Sequence, residues 1–336
     1  MRIALYHGKG QVGLAETERP QVKPGFVVIE VRRCGICGSD LHAYRGEWEQ
    51  RPFAGGHELS GTISEIGPDV EGLALGDRVC VECFWHCGEC RFCRGGQYNL
   101  CRQPVYLGSQ SHGGFAEYLP AKATSVFKLA DSLDFEQGAL VEPLAVGYRA
   151  FARSGAGADD RLLIVGAGTI GLCVLMCAKA AGVQAVTIVA RYEHQAAAAR
   201  DLGADAVVIA GDQQIEGEPA DATIETTASS RGISDALSAT RPAGAVVLVG
   251  GYSAPLRASL GQIVGRELHV TGSQCYGRTG GRRDFDSAIE LIALGRAPVA
   301  RLVTHRFPLD QIAEAFAAAD DKGSGAIKVQ LLVGKD

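Results

Sequence analysis

Cys37-Gly38-Ser39-Asp40-Leu41-His42 and Gly56-His57-Glu58-Leu59-Ser60-Gly61 bring a thiol, imidazoles and carboxylates into one short stretch that closes at Gly67. A soft thiolate, an imidazole and an oxygen donor suit Zn²⁺ in a site that keeps one position open for substrate, because zinc takes S, N and O ligands tetrahedrally. Taken alone, Cys37 and His57 are explained as well by a core thiol and a surface histidine. A second cluster is denser. Cys87-Gly88-Glu89-Cys90-Arg91-Phe92-Cys93 followed by Cys101 spaces four thiols so that they can wrap one tetrahedral ion, the pattern of a closed structural zinc site. An iron–sulfur cluster is the other metal reading, although its usual bacterial run has a shorter last gap. Cys83 stands upstream as a spare ligand, and Cys34, Cys80, Cys173, Cys177 and Cys275 read as small core residues.

Gly166-Ala167-Gly168-Thr169-Ile170-Gly171 follows the apolar run Leu162 to Val165 and precedes the helix-forming stretch Leu172 to Ala181. In that strand–turn–helix setting the glycines allow a tight turn and a close backbone approach, and the helix start offers N–H groups to a dinucleotide pyrophosphate. The alternative is a glycine-rich turn without a ligand. A carboxylate at the end of the next strand would bind the adenosine ribose of NAD. Thr187-Ile188-Val189-Ala190-Arg191-Tyr192 places a small residue and a cation there instead. Ala190 removes the repulsion of a 2′-phosphate and Arg191 offers it a planar donor, with Tyr192, His194 and Gln195 as further contacts, so NADP(H) is favoured over NAD(H). The competing reading makes Arg191 a solvated cation at a helix start.

Glu142 sits inside the apolar segment Val141-Glu142-Pro143-Leu144-Ala145-Val146-Gly147. A buried carboxylate needs a partner, and the missing third ligand beside Cys37 and His57 is one; a solvent-facing acid at a helix start is the alternative.

These groups must be held by elements that the pattern also announces. A length of 336 residues, 46% hydrophobic and 21% charged content describe a globular protein of about two domains. Before Pro120, short apolar runs (Phe26 to Val31, Gly61 to Ile66, Arg78 to Val81) alternate with Gly and Pro, which predicts a β-rich domain. After Gly147 strands alternate with Ala-rich helices: Leu162 to Val165, Val186 to Val189, Ala206 to Ile209, Ala222 to Glu225, Val246 to Val249 and Leu268 to Thr271, a parallel α/β sheet. Beyond Gly272 two amphipathic helices, Asp284 to Leu294 and Leu309 to Ala319, and a strand over Ile327 to Leu332 are expected to return to the first domain. The boundaries are 1–146, 147–276 and 277–336. A net charge of −5 without a basic block argues against nucleic acid or an anionic membrane, and no apolar run reaches the roughly 20 residues of a membrane helix. Eleven cysteines, an odd number, with no secretory h-region after Met1-Arg2-Ile3, indicate a reducing cytoplasm.

The chain resembles the zinc-dependent medium-chain dehydrogenases, most closely their polyol (sorbitol-like) branch. Gly56-His57-Glu58-x2-Gly61-x5-Gly67-x2-Val70 matches that family's zinc signature, and the Cys37 motif, the four-cysteine lobe, Glu142-Pro143-Leu144 and the glycine fingerprint follow in its order. The resemblance spans nearly the whole chain and implies a GroES-like catalytic domain, an inserted Rossmann domain and a C-terminal return segment. It further implies that Cys37, His57 and Glu142 hold a catalytic zinc, that Glu58 exchanges onto it, and that Cys87, Cys90, Cys93 and Cys101 hold a structural zinc. Ser39 then takes the substrate proton, His42 passes it outward and Asp40 orients His57. Tyr44, Arg45 and Trp48 are expected to line the substrate pocket. The implied activity is hydride transfer between NADP(H) and a secondary alcohol of a polyol, sugar or cyclitol, in a homodimer or homotetramer. A threonine-type amino-alcohol dehydrogenase is the nearest rival, and a non-catalytic zinc-lobe binding protein, relying on Arg91, Phe92, Arg94 and Tyr98, is the rival of another class.

Overall fold

A computed structural model describes residues 1–50, 55–211, 215, 217–252 and 254–334. The chain divides into two compact units, one of Met1–Glu142, Ala288–Ala293 and Val303–Asp336, the other of Pro143–Ser287 and Leu294–Leu302. The return segment expected over 277–336 is thus shared between the two.

The first unit is built on the strand Phe26–Gly35, in which Val27, Val28, Ile29, Val31 and Cys34 are wholly buried. Such a strand is covered on both faces, so its apolar residues run nearly unbroken instead of alternating. Its sheet runs Val303–Pro308, Lys328–Leu332, Phe26–Gly35, Glu58–Ile66, Arg78–Val81, Val126–Lys128, with Tyr118–Lys122 also paired to the central strand. The register places Gly35 opposite Glu58, and Gly35 and Cys34 opposite Gln330 and Leu331. Beside the sheet the helix Ile312–Asp320 buries Ile312, Ala315, Phe316 and Ala319, the spacing of one helical face. Phe316 meets the rings of Tyr6, Tyr44 and Phe115 at centroid distances of 5.9, 5.1 and 5.6 Å.

The second unit carries an all-parallel sheet in the order Ala206–Ile209, Ala185–Ala190, Arg161–Val165, Ala220–Glu225, Thr240–Leu248, His269–Gly272. The order reverses between Arg161–Val165 and Ala220–Glu225, which is the doubly wound arrangement whose ligands bind at the carboxyl ends of the strands at that switch. All six expected strands of this sheet are present, and Thr240–Leu248 begins six residues ahead of the expected Val246. The expected helix Leu309 to Ala319 starts as a 3₁₀ turn, Leu309–Gln311, before the α-helix. Among the described residues no helix is long and apolar enough to cross a membrane.

Gly61 shows how tightly the first sheet is drawn together. A Cβ there would stand 2.2 Å from the Glu30 carbonyl oxygen on the neighbouring strand, and backbone cannot swing aside as a side-chain tip can. Gly61→Ala is therefore expected to destabilise the first unit by about 1–3 kcal/mol, read as a lower Tm in thermal unfolding. An unchanged Tm would show that the strands separate freely.

Candidate active site

Cys37 ends the central strand's extension and caps the short helix Gly38–Tyr44, which carries Ser39, Asp40 and His42. Asp40 is buried, and its carboxylate accepts the Cys37 N–H at 2.9 Å and the Gly56 N–H at 3.2 Å, tying together the two stretches that bear Cys37 and His57. Gly56 has φ +87, and a Cβ on it would collide with the Phe115 ring and the Cys34 sulfur at 2.6 and 2.7 Å, so the turn before His57 demands glycine. From there Glu58 begins the next strand.

The ligand atoms of Cys37, His57 and Glu58 lie within 4.8 Å of one another. His57 Nδ1 faces Asp40 Oδ1 at 4.0 Å. Burial works against a charged imidazole here, but the Cys37 sulfur, Asp40 and Glu142 outweigh it and hold the His57 pKa well above its ordinary value. Burial likewise raises Asp40, against the pull of His57 and of its two N–H donors. Glu142, 5% exposed at the start of the helix Val141–Ser154, is pushed up to about 7, chiefly by burial, while His57 acts in the opposite direction. It is therefore an interior carboxyl and not a solvent-facing acid, and Cys83 hydrogen-bonds to it, outside the four-cysteine cluster. Glu142 lies outside the 4.8 Å set; Glu58 is the carboxylate inside it. Sequence reasoning missed Lys328. Its ammonium binds both Glu58 oxygens at 2.7 and 2.5 Å and donates to the Ile36 carbonyl at 3.0 Å. The local run Lys328-Val329-Gln330-Leu331-Leu332 has no periodicity that marks its first residue as interior.

Ser39 is half-buried in the first turn of its helix. One turn on, His42 contacts the Glu47 carboxylate through Nδ1 and stacks on Trp48 at 4.7 Å between centroids. That contact with His42 holds the Glu47 carboxyl below its usual range. Of the residues expected to line the substrate pocket, Tyr44 packs on Phe316, and the Arg45 guanidinium pairs with Asp320 at 2.6 Å.

The sulfurs of Cys87, Cys90, Cys93 and Cys101 also lie within 4.8 Å of one another. Three of their separations are 3.8, 3.5 and 3.5 Å. A tetrahedron with arms of about 2.3 Å has edges of about 3.8 Å, so these three separations are close to those of a zinc tetrathiolate. Backbone N–H groups of Cys93 and Arg102 pull the Cys90 thiol down to about 6, whereas burial and the Cys90 hydrogen bond push Cys93 up to about 12. The Cys37 and His57 pair with a carboxylate likewise meets the donor chemistry of zinc with an open position.

In the second unit the three fingerprint glycines have separate reasons. Gly166 has φ +107 and a Cβ would meet the Thr226 hydroxyl at 2.5 Å, while at Gly171 it would stand 1.8 Å from the Gly166 carbonyl oxygen. At Gly168 a Cβ would meet nothing within 4 Å, so no protein contact requires glycine there and the open space suits a pyrophosphate. Gly168 caps the helix Thr169–Ala180, whose first turn holds Thr169 and Ile170. The neighbouring strand ends at the buried Ala190 with no acid. Arg191 is exposed, its guanidinium 5.4 Å from the Tyr192 ring centre, and its backbone N–H donates to Gln195 Oε1 at 3.4 Å.

Comparison with known proteins agrees with both halves. The alcohol dehydrogenase GroES-like domain family matches residues 23–131 and the zinc-binding dehydrogenase family matches residues 169–293. The chain is 34% identical to L-idonate 5-dehydrogenase of Vitis vinifera, over 92% of this chain and 88% of that protein. It is also 34% identical to sorbitol dehydrogenase of Arabidopsis thaliana, over 92% and 89%. An alcohol dehydrogenase of Escherichia coli CFT073 complexed with NADH superposes with a TM-score of 0.92 at 27% identity, and a structure from Sinorhizobium meliloti 1021 bound to NADP with 0.90 at 28%, each covering 99% of both chains. A non-catalytic zinc-lobe protein is thereby set aside.

The Glu142 environment has a consequence for the metal-free protein. A carboxyl with a pKa of about 7 folded and 4.5 ordinarily binds its proton more tightly in the fold, so its contribution is full below pH 4.5 and lost as pH rises through 7. The Tm of chelator-treated protein is expected to fall across that window, and Glu142→Gln is expected to flatten the fall. Equal slopes for the two proteins would remove Glu142 as the cause.

Proposed function

The chain belongs to the zinc-binding alcohol dehydrogenase family with a GroES-like domain, and we propose on that footing that it transfers a hydride between NADP(H) and a secondary alcohol or its ketone, the alcohol being part of a polyol, sugar or cyclitol. The observation that carries the reading is the Cys37, His57 and Glu58 donor set, with Glu142 beside it, in a chain that also has the glycine turn. Relatives named sorbitol dehydrogenase and L-idonate 5-dehydrogenase support a polyhydroxy substrate.

In this reading Cys37, His57 and a carboxylate hold a catalytic zinc, and the four-cysteine lobe holds a structural one. When bound, the catalytic zinc supplies Lewis acidity to the alcohol oxygen and the nicotinamide accepts the hydride. Ser39, two residues beyond Cys37, accepts the substrate proton. His42 lies one helical turn further on, its Nδ1 in contact with the Glu47 carboxylate, and passes the proton outward. Asp40 keeps Cys37 and His57 in mutual position through its two backbone hydrogen bonds. Gly166, Gly168, Thr169, Ile170 and Gly171 receive the pyrophosphate, and Ala190, Arg191 and Gln195 face the 2′-phosphate.

Metal analysis of active protein is expected to find two zinc ions per chain. Cys37→Ser or His57→Ala should abolish turnover with the fold retained, whereas Cys93→Ser should chiefly lower the Tm. One zinc in fully active protein would contradict the assignment. For the cofactor, a charge-assisted hydrogen bond of about 1.5–3 kcal/mol amounts to roughly ten- to over a hundredfold in affinity. NADP is accordingly expected to give the higher kcat/KM, and Ala190→Asp with Arg191→Ile should move preference toward NAD without changing zinc content. A higher kcat/KM with NAD in the unaltered enzyme would sink this reading of Arg191. A screen over polyols, cyclitols and amino alcohols at the nicotinamide absorbance identifies the substrate, and amino alcohols alone as substrates would favour the threonine-type rival.

A further inference from the structure

The strand Ala220–Glu225 ends in a carboxylate that is wholly buried, at the carboxyl edge of the parallel sheet where the strand order reverses. Four donors meet its two oxygens. Glu225 Oε1 accepts the Thr227 N–H at 2.6 Å and the Thr227 hydroxyl, and Oε2 accepts the Ala228 N–H at 3.3 Å and the Tyr252 hydroxyl at 2.6 Å. The first three donors close a turn in which Ala228 takes a left-handed φ of +50, a conformation that a residue with a Cβ keeps only when its surroundings fix it. The fourth donor comes from the turn after the neighbouring strand Thr240–Leu248, and the two turns touch: a Cβ at Gly250 would stand 2.6 Å from that of Ala228. The glycine fingerprint meets the same turn, since a Cβ at Gly166 would stand 2.7 Å from the Thr227 methyl group.

Tyr252 adds little to the turn itself, which three donors already close. Burial and the Glu225 carboxylate raise its pKa, so the phenol remains a donor, yet the residue stays 39% exposed. A ring tied at its hydroxyl and left half open is an ordered apolar surface, and ordering a side chain without covering it gives the fold little in return. A dinucleotide with its pyrophosphate at Gly166 to Gly171 and its adenosine ribose at the end of Ala185–Ala190 extends its other half the opposite way, over the ends of Ala220–Glu225 and Thr240–Leu248. We propose that Tyr252, tethered through its hydroxyl to the buried Glu225, is a cofactor-positioning residue that supports the nicotinamide-bearing half of the dinucleotide. Its ring is the wall against which that half packs, and Glu225 sets the angle of the ring.

The inference rests on the reading of the glycine turn as a dinucleotide site, and two ligands separate the claims. Calorimetric titration of the full-length protein compares NADPH with 2′-phospho-ADP-ribose, which keeps the adenosine and both bridging phosphates and lacks the nicotinamide. Tyr252→Ala, which removes the ring, is expected to weaken NADPH binding about tenfold, and Tyr252→Phe, which removes only the tether, about threefold. Binding of 2′-phospho-ADP-ribose stays within about twofold of the unaltered protein in both variants. The contrast is read between two ligands on one variant, so a lowered Tm does not obscure it. Equal weakening of the two ligands would identify a tyrosine that merely braces the turns, and unchanged NADPH affinity in Tyr252→Ala a ring that meets no cofactor; either result overturns the proposal. NADH with ADP-ribose supplies the same contrast, so the proposal stands apart from the reading of Arg191. Unaltered protein that binds neither NADPH nor NADH would instead remove the dinucleotide reading and the proposal together.

Discussion

Charge buried without water must be compensated locally, and the first unit is arranged around that demand. Asp40, Glu58 and Glu142 are all at most 6% exposed, an unusual concentration of carboxyls in an interior. Lys328 answers Glu58 directly, backbone N–H groups and His57 answer Asp40, and Cys83 and His57 answer Glu142 in part. His57 is the common neighbour. The ligand atoms of Cys37, His57 and Glu58 converge within 4.8 Å of one another, and a thiol, an imidazole and a carboxylate are the donors that a divalent zinc ion accepts.

Glycine does the positioning that side chains cannot. At Gly35, Gly56 and Gly61 the missing Cβ is occupied by a carboxylate, a ring with a thiol, and a neighbouring backbone, respectively. Gly168 differs from all of them, because its vacant side faces open space. Its place after a strand and at the start of the helix Thr169–Ala180 leaves that open space where a phosphate can approach backbone N–H groups.

The second unit solves its own burial problem near the fingerprint. Glu225 ends its strand fully buried and accepts the Thr227 N–H at 2.6 Å and the Tyr252 hydroxyl at 2.6 Å, so the turns after two adjacent strands are tied together. Thr226 donates to the Val165 carbonyl at 3.0 Å and thereby braces the turn that begins at Gly166. The glycine turn is held rigid by neighbours that carry no signature of their own.

What the sequence determined by itself is local: period and punctuation located all six strands of the parallel sheet, five of them to within two residues, the Cys87 to Cys101 spacing announced four convergent thiols, and the strand–glycine–helix order announced a cofactor turn. Each of these signals is written within a few dozen residues, where the rise of a strand or a helix fixes which side chains meet. The tertiary structure decided the relations between distant segments. That Glu142 is interior, that Cys83 serves Glu142 and not the lobe, and that Tyr44 and Arg45 turn to the helix Ile312–Asp320 follow from packing that no local pattern encodes. Lys328 is the sharpest case, since only the register of strands nearly three hundred residues apart places its ammonium on Glu58, and a lysine ahead of an apolar run otherwise reads as a solvated strand start.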